Sequence, residues 1–254
     1  MLSKTKLKYI KSLQLKKYRK GEQCFAVEGA KSVAELLLSD FQIAFLAATQ
    51  SFIDQQASRL TQGGVEIISA SEKELTDAGS LQTNNAAIAV VRMKPNKPPA
   101  LTKQGFTLVL DDIRDPGNLG TIIRTADWYG INQIIASPET ADFYNPKTIS
   151  ATMGSFLRVT VFYTSLPEYL RAAPMVYGTF LEGTTIHELN FEKGGFVVIG
   201  NESNGISPEV AGLVHRKIMI PRYGKAESLN AGIATAIVLD NLRRSEKDNG
   251  INQI

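Results

Sequence analysis

The chain has 254 residues, of which 43% are hydrophobic and 21% are charged, and its formal net charge is +3 at pH 7. This composition is close to that of globular proteins and excludes a disordered chain, a collagen and a coiled coil. The length favours two modest domains over one large domain.

No apolar run approaches the roughly 18 residues that a membrane-spanning helix needs, and no apolar stretch of signal-peptide length stands near the first residue. We therefore expect a cytoplasmic protein without a membrane partner. Cys24 is the only cysteine, and His187 and His215 are the only histidines. No Cys/His zinc pattern exists, so we expect no metal.

The positive charge is concentrated at the beginning of the sequence. Residues 1–20 hold eight lysines and arginines and no acidic residue, whereas the other residues hold 20 basic and 25 acidic side chains. Such a segment suits a polyanion such as RNA or DNA, because lysines that neutralise phosphates release their counterions. Alternatively, these lysines solvate one face of a helix whose apolar stripe includes Leu7, Ile10, Leu13 and Leu15.

The first part of the chain alternates short strands with helices. Runs of apolar and β-branched residues predict strands at residues 24–27, 43–48, 65–68 and 86–91. Helical patterns cover residues 30–38 and about 52–60. We expect a small α/β domain over residues 1–95.

A proline-rich polar segment, residues 93–104, separates two apolar runs, so we place a linker at residues 96–105. Beyond it, strands are predicted at residues 106–110, 133–136, 159–163, 175–179, 196–200 and 218–221. Helices fit between several of these strands, which favours a mainly parallel sheet covered on both faces, in a second domain over residues 106–254. Residues 228–244 predict a largely buried helix that begins with Ser228, a suitable N-cap.

Ligands of parallel sheets bind outside the carboxyl ends of the strands, and the three most unusual segments of the second domain lie there. They are residues 111–124 (DDIRDPGNLGTIIR), 200–205 (GNESNG) and 221–230 (PRYGKAESLN). Other chemistries have no motif in the chain: dinucleotide, Walker A and serine-hydrolase patterns are absent, and neither histidine lies in these loops.

Each loop carries side chains suited to a polar ligand. The first exposes glycine amides at a helix start, where an anion binds favourably, and Arg124 can place a planar guanidinium beside it. The second presents the carboxylate of Glu202, and the third presents Ser228 and Asn230. Taken singly, each loop is equally compatible with a structural turn, with Arg124 in a surface ion pair and Ser228 as an N-cap.

Together, the loops resemble in order and spacing the three motifs of the SpoU (TrmH) branch of the SPOUT RNA methyltransferases. The first motif, Asn-x-Gly-x-x-x-Arg, is matched by Asn118, Gly120 and Arg124. The second, Gly-x-Glu-x-x-Gly, is matched by Gly200, Glu202 and Gly205, and the third, Ile-Pro…Ser-Leu-Asn, by Ile220, Pro221, Ser228, Leu229 and Asn230. Residues 25–37 (FAVEGAKSVAELL) resemble the start of the substrate-binding domain of several rRNA-directed members.

The resemblance implies an α/β fold whose C-terminal segment forms a trefoil knot, preceded by a small domain resembling an RNA-binding ribosomal protein. It also implies S-adenosylmethionine as cofactor, a homodimer with the active site near the subunit interface, no metal, and methyl transfer to a ribose 2′-hydroxyl of RNA. The extra first domain favours rRNA over tRNA as substrate. A non-catalytic RNA-binding or ribosome-assembly protein and a small-molecule-binding module are the alternatives from other classes.

The resemblance further implies the site residues. A reaction centre would be formed by Asn118, Arg124, Glu202, Ser228 and Asn230, and the cofactor would be enclosed by Thr179, Gly200, Ile220 and Leu229. A guanidinium stays protonated in proteins, which disfavours Arg124 as the general base. We expect Arg124 to hold the adjacent phosphate and to lower the pKa of the hydroxyl through its charge.

Two positions depart from the family pattern. Arg222 stands where members often have methionine, which puts contact of this side chain with the cofactor in doubt. Ala231 and Gly232 replace the usual Val-Ser. A glycine near a helix start costs up to about 1 kcal/mol relative to alanine but permits close packing.

Overall fold

The computed structural model of the chain describes residues 1–61, 64–99, 105–192 and 194–248. Residues 100–104 of the predicted linker lie outside the described residues. The chain divides into two compact units, one of Met1–Pro95 with Asp142–Leu157 and one of Asn96–Ala141 with Arg158–Ile254. The segment Asp142–Leu157, which sequence analysis assigned to the second domain, therefore packs within the first unit.

The helices of the described residues follow one another along both units. They are α1 (Lys4–Ser12), α2 (Lys16–Glu22), α3 (Ala30–Leu36), α4 (Gln50–Gln55), α5 (Ala57–Leu60), α6 (Glu72–Ala78), α7 (Pro116–Trp128), α8 (Pro146–Ala151), α9 (Leu166–Leu170), α10 (Pro208–Ala211) and α11 (Ala231–Asp248).

The strands alternate with them. They are β1 (Cys24–Glu28), β2 (Ile43–Ala48), β3 (Glu66–Ser69), β4 (Ala87–Arg92), β5 (Gly105–Leu110), β6 (Gln133–Ala136), β7 (Thr160–Tyr163), β8 (Val176–Phe180), β9 (Thr184–Thr185), β10 (Gly194–Ile199) and β11 (Arg216–Met219). Each strand predicted from the sequence is confirmed to within two residues at its ends.

The first unit contains a four-stranded sheet with strand order β1-β4-β2-β3. β4 pairs antiparallel with both β1 and β2, and β3 joins β2 in parallel. The apolar side of α1 packs into the core of this unit, where Ile10 and Leu13 are buried. The predicted helix at residues 52–60 is interrupted at Gln56, which separates α4 from α5.

Arg19 is the largest fully buried side chain of the first unit, 1% exposed. It donates hydrogen bonds to the carbonyl oxygens of Leu13 (2.9 Å) and Gln14 (2.8 Å) and forms an ion pair with Asp142 at 2.7 Å. A buried cation is tolerated only when it is paired and hydrogen-bonded. Arg19 therefore fixes the turn between α1 and α2.

The second unit is built on a seven-stranded sheet with strand order β7-β6-β5-β10-β8-β11-β9, in which all pairings are parallel. Five successive residues of β5, Phe106–Leu110, are buried. Successive side chains of a strand point to opposite faces, so both faces of the sheet are covered here. The predicted α/β class and parallel sheet are thus confirmed.

The C-terminal helix differs from its prediction in two respects. It begins at Ala231 rather than at Ser228. It is also buried on one face only, because Val238, Leu239 and Leu242 are inaccessible whereas Ile233 is 53% exposed.

Replacing Arg19 by methionine is expected to lower the free energy of unfolding by about 3 kcal/mol, because the change leaves Asp142 and two carbonyl oxygens without their donor. Urea unfolding of the whole chain measures this loss. Lys20→Met, at the exposed neighbouring position, is the control and should stay within about 0.5 kcal/mol of the original protein. Equal stability of the two variants would contradict the structural role of Arg19.

Candidate active site

Asn118 is positioned by the first turn of α7, which follows β5 through a short loop. Asp115 is the N-cap of this helix, and its carboxylate accepts a hydrogen bond from the backbone nitrogen of Asn118 at 2.9 Å. Pro116 occupies the first turn, where its missing N–H costs nothing. The side chain of Asn118 is therefore held half-buried beyond the carboxyl end of β5.

Glu202 is positioned by a tight turn that follows β10. Asn201 and Gly205 bridge the turn with two backbone hydrogen bonds of 2.9 and 3.0 Å. A Cβ atom at Gly200 would overlap the backbone of Gly205 and Ile206, and Gly205 itself has a φ of 68°. Glycine is required at position 200 for space and suits position 205 because of its left-handed backbone.

Two further pairs of residues connect the first loop to the segment after β10. The Asn201 side-chain amide donates to the carbonyl oxygen of Asp112 at 2.8 Å. The buried carboxylate of Asp111 accepts from the backbone nitrogen and the hydroxyl of Ser207, each at 2.7 Å. Sequence analysis did not single out Asp111 and Ser207. The sequence did indicate a role for Asp111, because it directly follows an apolar strand. A carboxylate that is buried there needs hydrogen-bond donors.

The central contact of the site joins residues from all three loops. The Asn118 side-chain amide donates a hydrogen bond to Oε1 of Glu202. The Asn230 side-chain amide donates in turn to Oδ1 of Asn118 at 2.8 Å. Three of the five residues predicted for the reaction centre are therefore in direct contact, and each amide is oriented by its neighbour.

Asn230 has a second role as the N-cap of α11. Its Oδ1 accepts from the backbone nitrogens of Gly232 (3.0 Å) and Ile233 (3.3 Å). The prediction that Ser228 caps this helix is therefore wrong, because Asn230 lies directly before the first helical residue. Gly232 lies where a Cβ atom would come 2.9 Å from Cγ2 of Thr121 on α7, which confirms the close packing expected of this glycine.

Arg124 and Ser228 are not part of this network. Both side chains are exposed, and neither forms a hydrogen bond or ion pair with any residue that the structure describes. Arg124 lies six residues beyond Asn118, about 9 Å along the axis of α7. Its guanidinium is therefore free to meet a ligand from solvent.

Three of the four residues predicted to enclose the cofactor lie along one edge of the sheet. β10, β8 and β11 are neighbouring parallel strands. Gly200 follows β10, Thr179 is near the end of β8 and Ile220 follows β11, so all three lie at carboxyl ends. Thr179 donates its hydroxyl to the carbonyl oxygen of Val198 at 3.1 Å.

This edge fits an uncharged nucleoside. Thr179, Gly200 and Ile220 are half-buried, and Leu229, in the segment after β11, is 44% exposed. The four residues offer apolar surface and backbone groups without a charged side chain. Such a lining suits the adenosine part of S-adenosylmethionine, which needs enclosure and a few directed hydrogen bonds.

One strained residue lies beside the network. Asp112 has a φ of 60°, which is uncommon for a residue with a side chain. Its carboxylate accepts a hydrogen bond from Nε of Arg114 at 2.7 Å, and this bond raises the pKa of the Arg114 guanidinium above its ordinary value. The ion pair with Asp112 therefore orients the Arg114 guanidinium beside the first loop.

Among the described residues, no group of three or more histidine, cysteine, aspartate or glutamate side chains is arranged to hold a metal ion. In the same part of the chain, no helix has both the length and the apolar character to cross a membrane.

Asn230→Ala is expected to lower the free energy of unfolding by about 1 kcal/mol, because the helix loses its cap, whereas Asn230→Ser should cost clearly less, since serine caps a helix about as well as asparagine does. Both variants lose the amide that donates to Asn118. Urea unfolding of the two variants distinguishes the contribution of the helix cap to stability from that of the hydrogen bond to Asn118. Equal destabilisation by both substitutions would show that capping is not what Asn230 contributes to stability.

Comparison with known proteins identifies two matching families. The SpoU rRNA Methylase family matches residues 105–240, and the MRM3-like substrate binding domain matches residues 4–89. The two matches together cover most of the described part of both units.

Several known proteins are similar to this chain. The 23S rRNA (guanosine(2553)-2′-O)-methyltransferase RlmP of Bacillus subtilis (strain 168) is 31% identical over 246 residues, which cover 94% of this chain and 96% of that protein. The tRNA (guanosine(18)-2′-O)-methyltransferase of Aquifex aeolicus (strain VF5) is 29% identical over 147 residues, 56% of this chain and 70% of that protein.

A solved structure is similar over nearly the whole chain. The AdoMet-bound rRNA methyltransferase from Sinorhizobium meliloti superposes with a TM-score of 0.84 at 30% identity and covers 96% of this chain and 97% of that one. The order and spacing of the three motifs, the parallel sheet that carries them and these matches lead to one conclusion: the chain belongs to the SpoU rRNA methylase family.

Proposed function

We propose that this protein transfers the methyl group of S-adenosylmethionine to a ribose 2′-hydroxyl of RNA, with rRNA as substrate. The observation that carries the proposal is the hydrogen-bonded contact of Asn118, Glu202 and Asn230 at the carboxyl edge of the parallel sheet. The similarity to a 23S rRNA 2′-O-methyltransferase extends over both units, whereas the similarity to the tRNA enzyme covers about half of the chain, which favours rRNA over tRNA.

The bound cofactor supplies an electrophilic methyl group on a sulfonium. The residues of this chain must orient a ribose hydroxyl toward it and accept or share the proton, because a neutral hydroxyl is a poor nucleophile. Asn118 is held by Glu202 and Asn230 and presents a fixed polar group beside this position. Arg124 binds the phosphate next to the target ribose and stabilises the developing alkoxide by its charge, and Ser228 adds a hydroxyl as donor or acceptor.

The cofactor would be enclosed by Thr179, Gly200, Ile220 and Leu229 at the edge where β10, β8 and β11 end. The half-burial of Thr179, Gly200 and Ile220 and their uncharged side chains support this placement. We further propose that the segment after β11 belongs to a trefoil knot that closes over this edge. An exposed Arg222 fits a role for its backbone rather than its side chain in cofactor contact.

The domain assignment follows from the same proposal. Residues 1–95 would bind substrate RNA, residues 96–105 would link the domains and residues 106–254 would carry the methyl transfer. The match of residues 4–89 to a substrate binding domain supports the first assignment. We place the protein in the cytoplasm, where such a substrate would be met.

We also propose a homodimer. In the second unit, α7 and α11 pack against each other and leave large apolar side chains in solvent, with Trp128 85% and Ile233 53% exposed. Exposed apolar side chains on adjacent helices are typical of surfaces that a second copy covers. Arg124 lies on the same helix as Trp128, so an active site near this interface would accommodate its exposed guanidinium.

The proposed activity predicts transfer of labelled methyl groups from S-adenosylmethionine to rRNA. The protein is incubated with separate pools of 16S rRNA, 23S rRNA and tRNA, and the products are hydrolysed in alkali, which a 2′-O-methyl group blocks at its own linkage. Label in alkali-resistant dinucleotides of an rRNA pool is expected. Cofactor binding without transfer to any pool or to ribosomal particles would instead support the non-catalytic alternative.

Removal of the Arg124 guanidinium should reduce the rate of methyl transfer without unfolding the protein, because this exposed side chain forms no hydrogen bond or ion pair with the described residues. We expect a fall in kcat of about 100-fold or more for Arg124→Ala and a smaller fall for Arg124→Lys, which keeps the charge but loses the planar fork. Arg171→Ala, another exposed arginine of the second unit, is the control. Near-full activity of Arg124→Lys would refute the bidentate role.

A further inference from the structure

The solvent-facing surface of the first two helices carries several lysines that form no ion pair with the described residues. Lys4, Lys8 and Lys11 follow one another at intervals of four and three residues on α1, so they share one side of that helix. All three are exposed, whereas Ile10 on the opposite side is buried. Their ammonium groups form no ion pair or hydrogen bond with any described residue.

The next helix also exposes lysines. Arg19 is the only buried residue of α2, and the other side chains of its first two turns face solvent. They include Lys16, Lys17 and Lys20, which are again without a partner among the described residues. Because Arg19 binds the carbonyl oxygens of the turn, these lysines are displayed on a fixed backbone rather than on a mobile tail.

One exposed aromatic ring lies on the same helix as three of these lysines. Tyr18 is 45% exposed, with Lys17 beside it in the chain and Lys20 two residues further along α2. By contrast, Lys6 on α1 already has partners within the protein. It forms an ion pair with Glu66, and its Nζ lies 4.5 Å from the centroid of the Phe45 ring. The free positive charges and the free aromatic ring therefore occur together on the surface of the two helices.

We propose that this surface, made of Lys4, Lys8, Lys11, Lys16, Lys17, Tyr18 and Lys20, binds an RNA strand that carries an unpaired base. The lysines contact the backbone phosphates, and the base stacks on the ring of Tyr18. Lysines that neutralise phosphates give affinity without sequence preference, and base stacking on an aromatic side chain selects unpaired nucleotides. The occupant is the RNA of the proposed function, and the surface is a binding site additional to the reaction centre.

An anionic membrane is the other polyanionic surface that lysine-rich helices bind. A helix that lies on a membrane must bury a broad apolar face in the lipid. The apolar side of α1 is already packed into the core, and in the two helices and the turn between them only Leu15 and Tyr18 remain as exposed large hydrophobic residues. The observations therefore favour RNA.

The test compares binding of the full chain to single-stranded RNA of about 20 nucleotides and to a duplex RNA of the same length, with no cofactor present. Lys4→Gln/Lys8→Gln/Lys11→Gln is expected to weaken binding of both RNAs about tenfold and to reduce the slope of log affinity against log salt by about 2. Lys31→Gln/Lys97→Gln/Arg171→Gln removes the same number of exposed charges elsewhere and should change binding little.

The stacking role has its own pair of variants. Tyr18→Ala is expected to weaken binding of single-stranded RNA about tenfold and to leave duplex RNA unchanged, whereas Tyr18→Phe retains the ring and should bind like the original protein. Thermal unfolding verifies that all variants are folded. An equal loss of affinity for both RNAs in Tyr18→Ala would overturn the stacking role of Tyr18. An equal loss of affinity in the two triple variants would overturn the proposal that this surface binds RNA.

Two further measurements separate this inference from the proposed function. If the original protein methylates rRNA and the α1 triple has an unchanged KM, the surface is overturned and the proposed function stands. A raised KM with unchanged kcat in this variant supports both the RNA-binding surface and the proposed function. If anionic phospholipid vesicles bind the protein through these lysines and RNA does not, a membrane is the occupant and the inference is wrong.

Discussion

The parallel arrangement of the seven-stranded sheet is the constraint on which the site depends. β5, β10, β8 and β11 are neighbours in the sheet and run in the same direction, so the loops that follow them leave from one edge. Segments more than 100 residues apart in the sequence thereby meet, and Asn230 reaches Asn118. A single antiparallel strand among these would send its loop to the opposite edge.

The hydrogen bonds between the loops convert this proximity into a fixed geometry. An asparagine side chain has one donor end and one acceptor end, and in Asn118 both are used, the first by Glu202 and the second by Asn230. The loop that carries Glu202 is itself held by Asn201 and by the close backbone approach at Gly200. The orientation of the central amide is thus decided by groups that do not themselves need to touch a substrate.

The first unit uses a buried charge for a comparable purpose. Arg19 is inaccessible, yet its hydrogen bonds to the turn between α1 and α2 determine which side chains of α2 face solvent. Arg19 is one of eight basic residues among the first twenty of the sequence. Nothing in the neighbouring sequence distinguishes it from the lysines. Only its packing shows that it is structural, whereas the lysines of the same helices other than Lys6 form no ion pair with the described residues.

The sequence by itself determined most of the strands, the α/β class and the family. Strands follow from apolar runs between turn residues, and the three motifs are specific because they occur together in order. Tertiary structure decided the rest, since hydrogen bonds between distant residues leave no local pattern. It joined Asn118, Glu202 and Asn230, left Arg124 and Ser228 in solvent, transferred the helix cap from Ser228 to Asn230, and placed Asp142–Leu157 in the first unit. Burial and contact distance are properties of the folded chain. They distinguish the buried Arg19 from the exposed lysines around it, which the sequence alone does not.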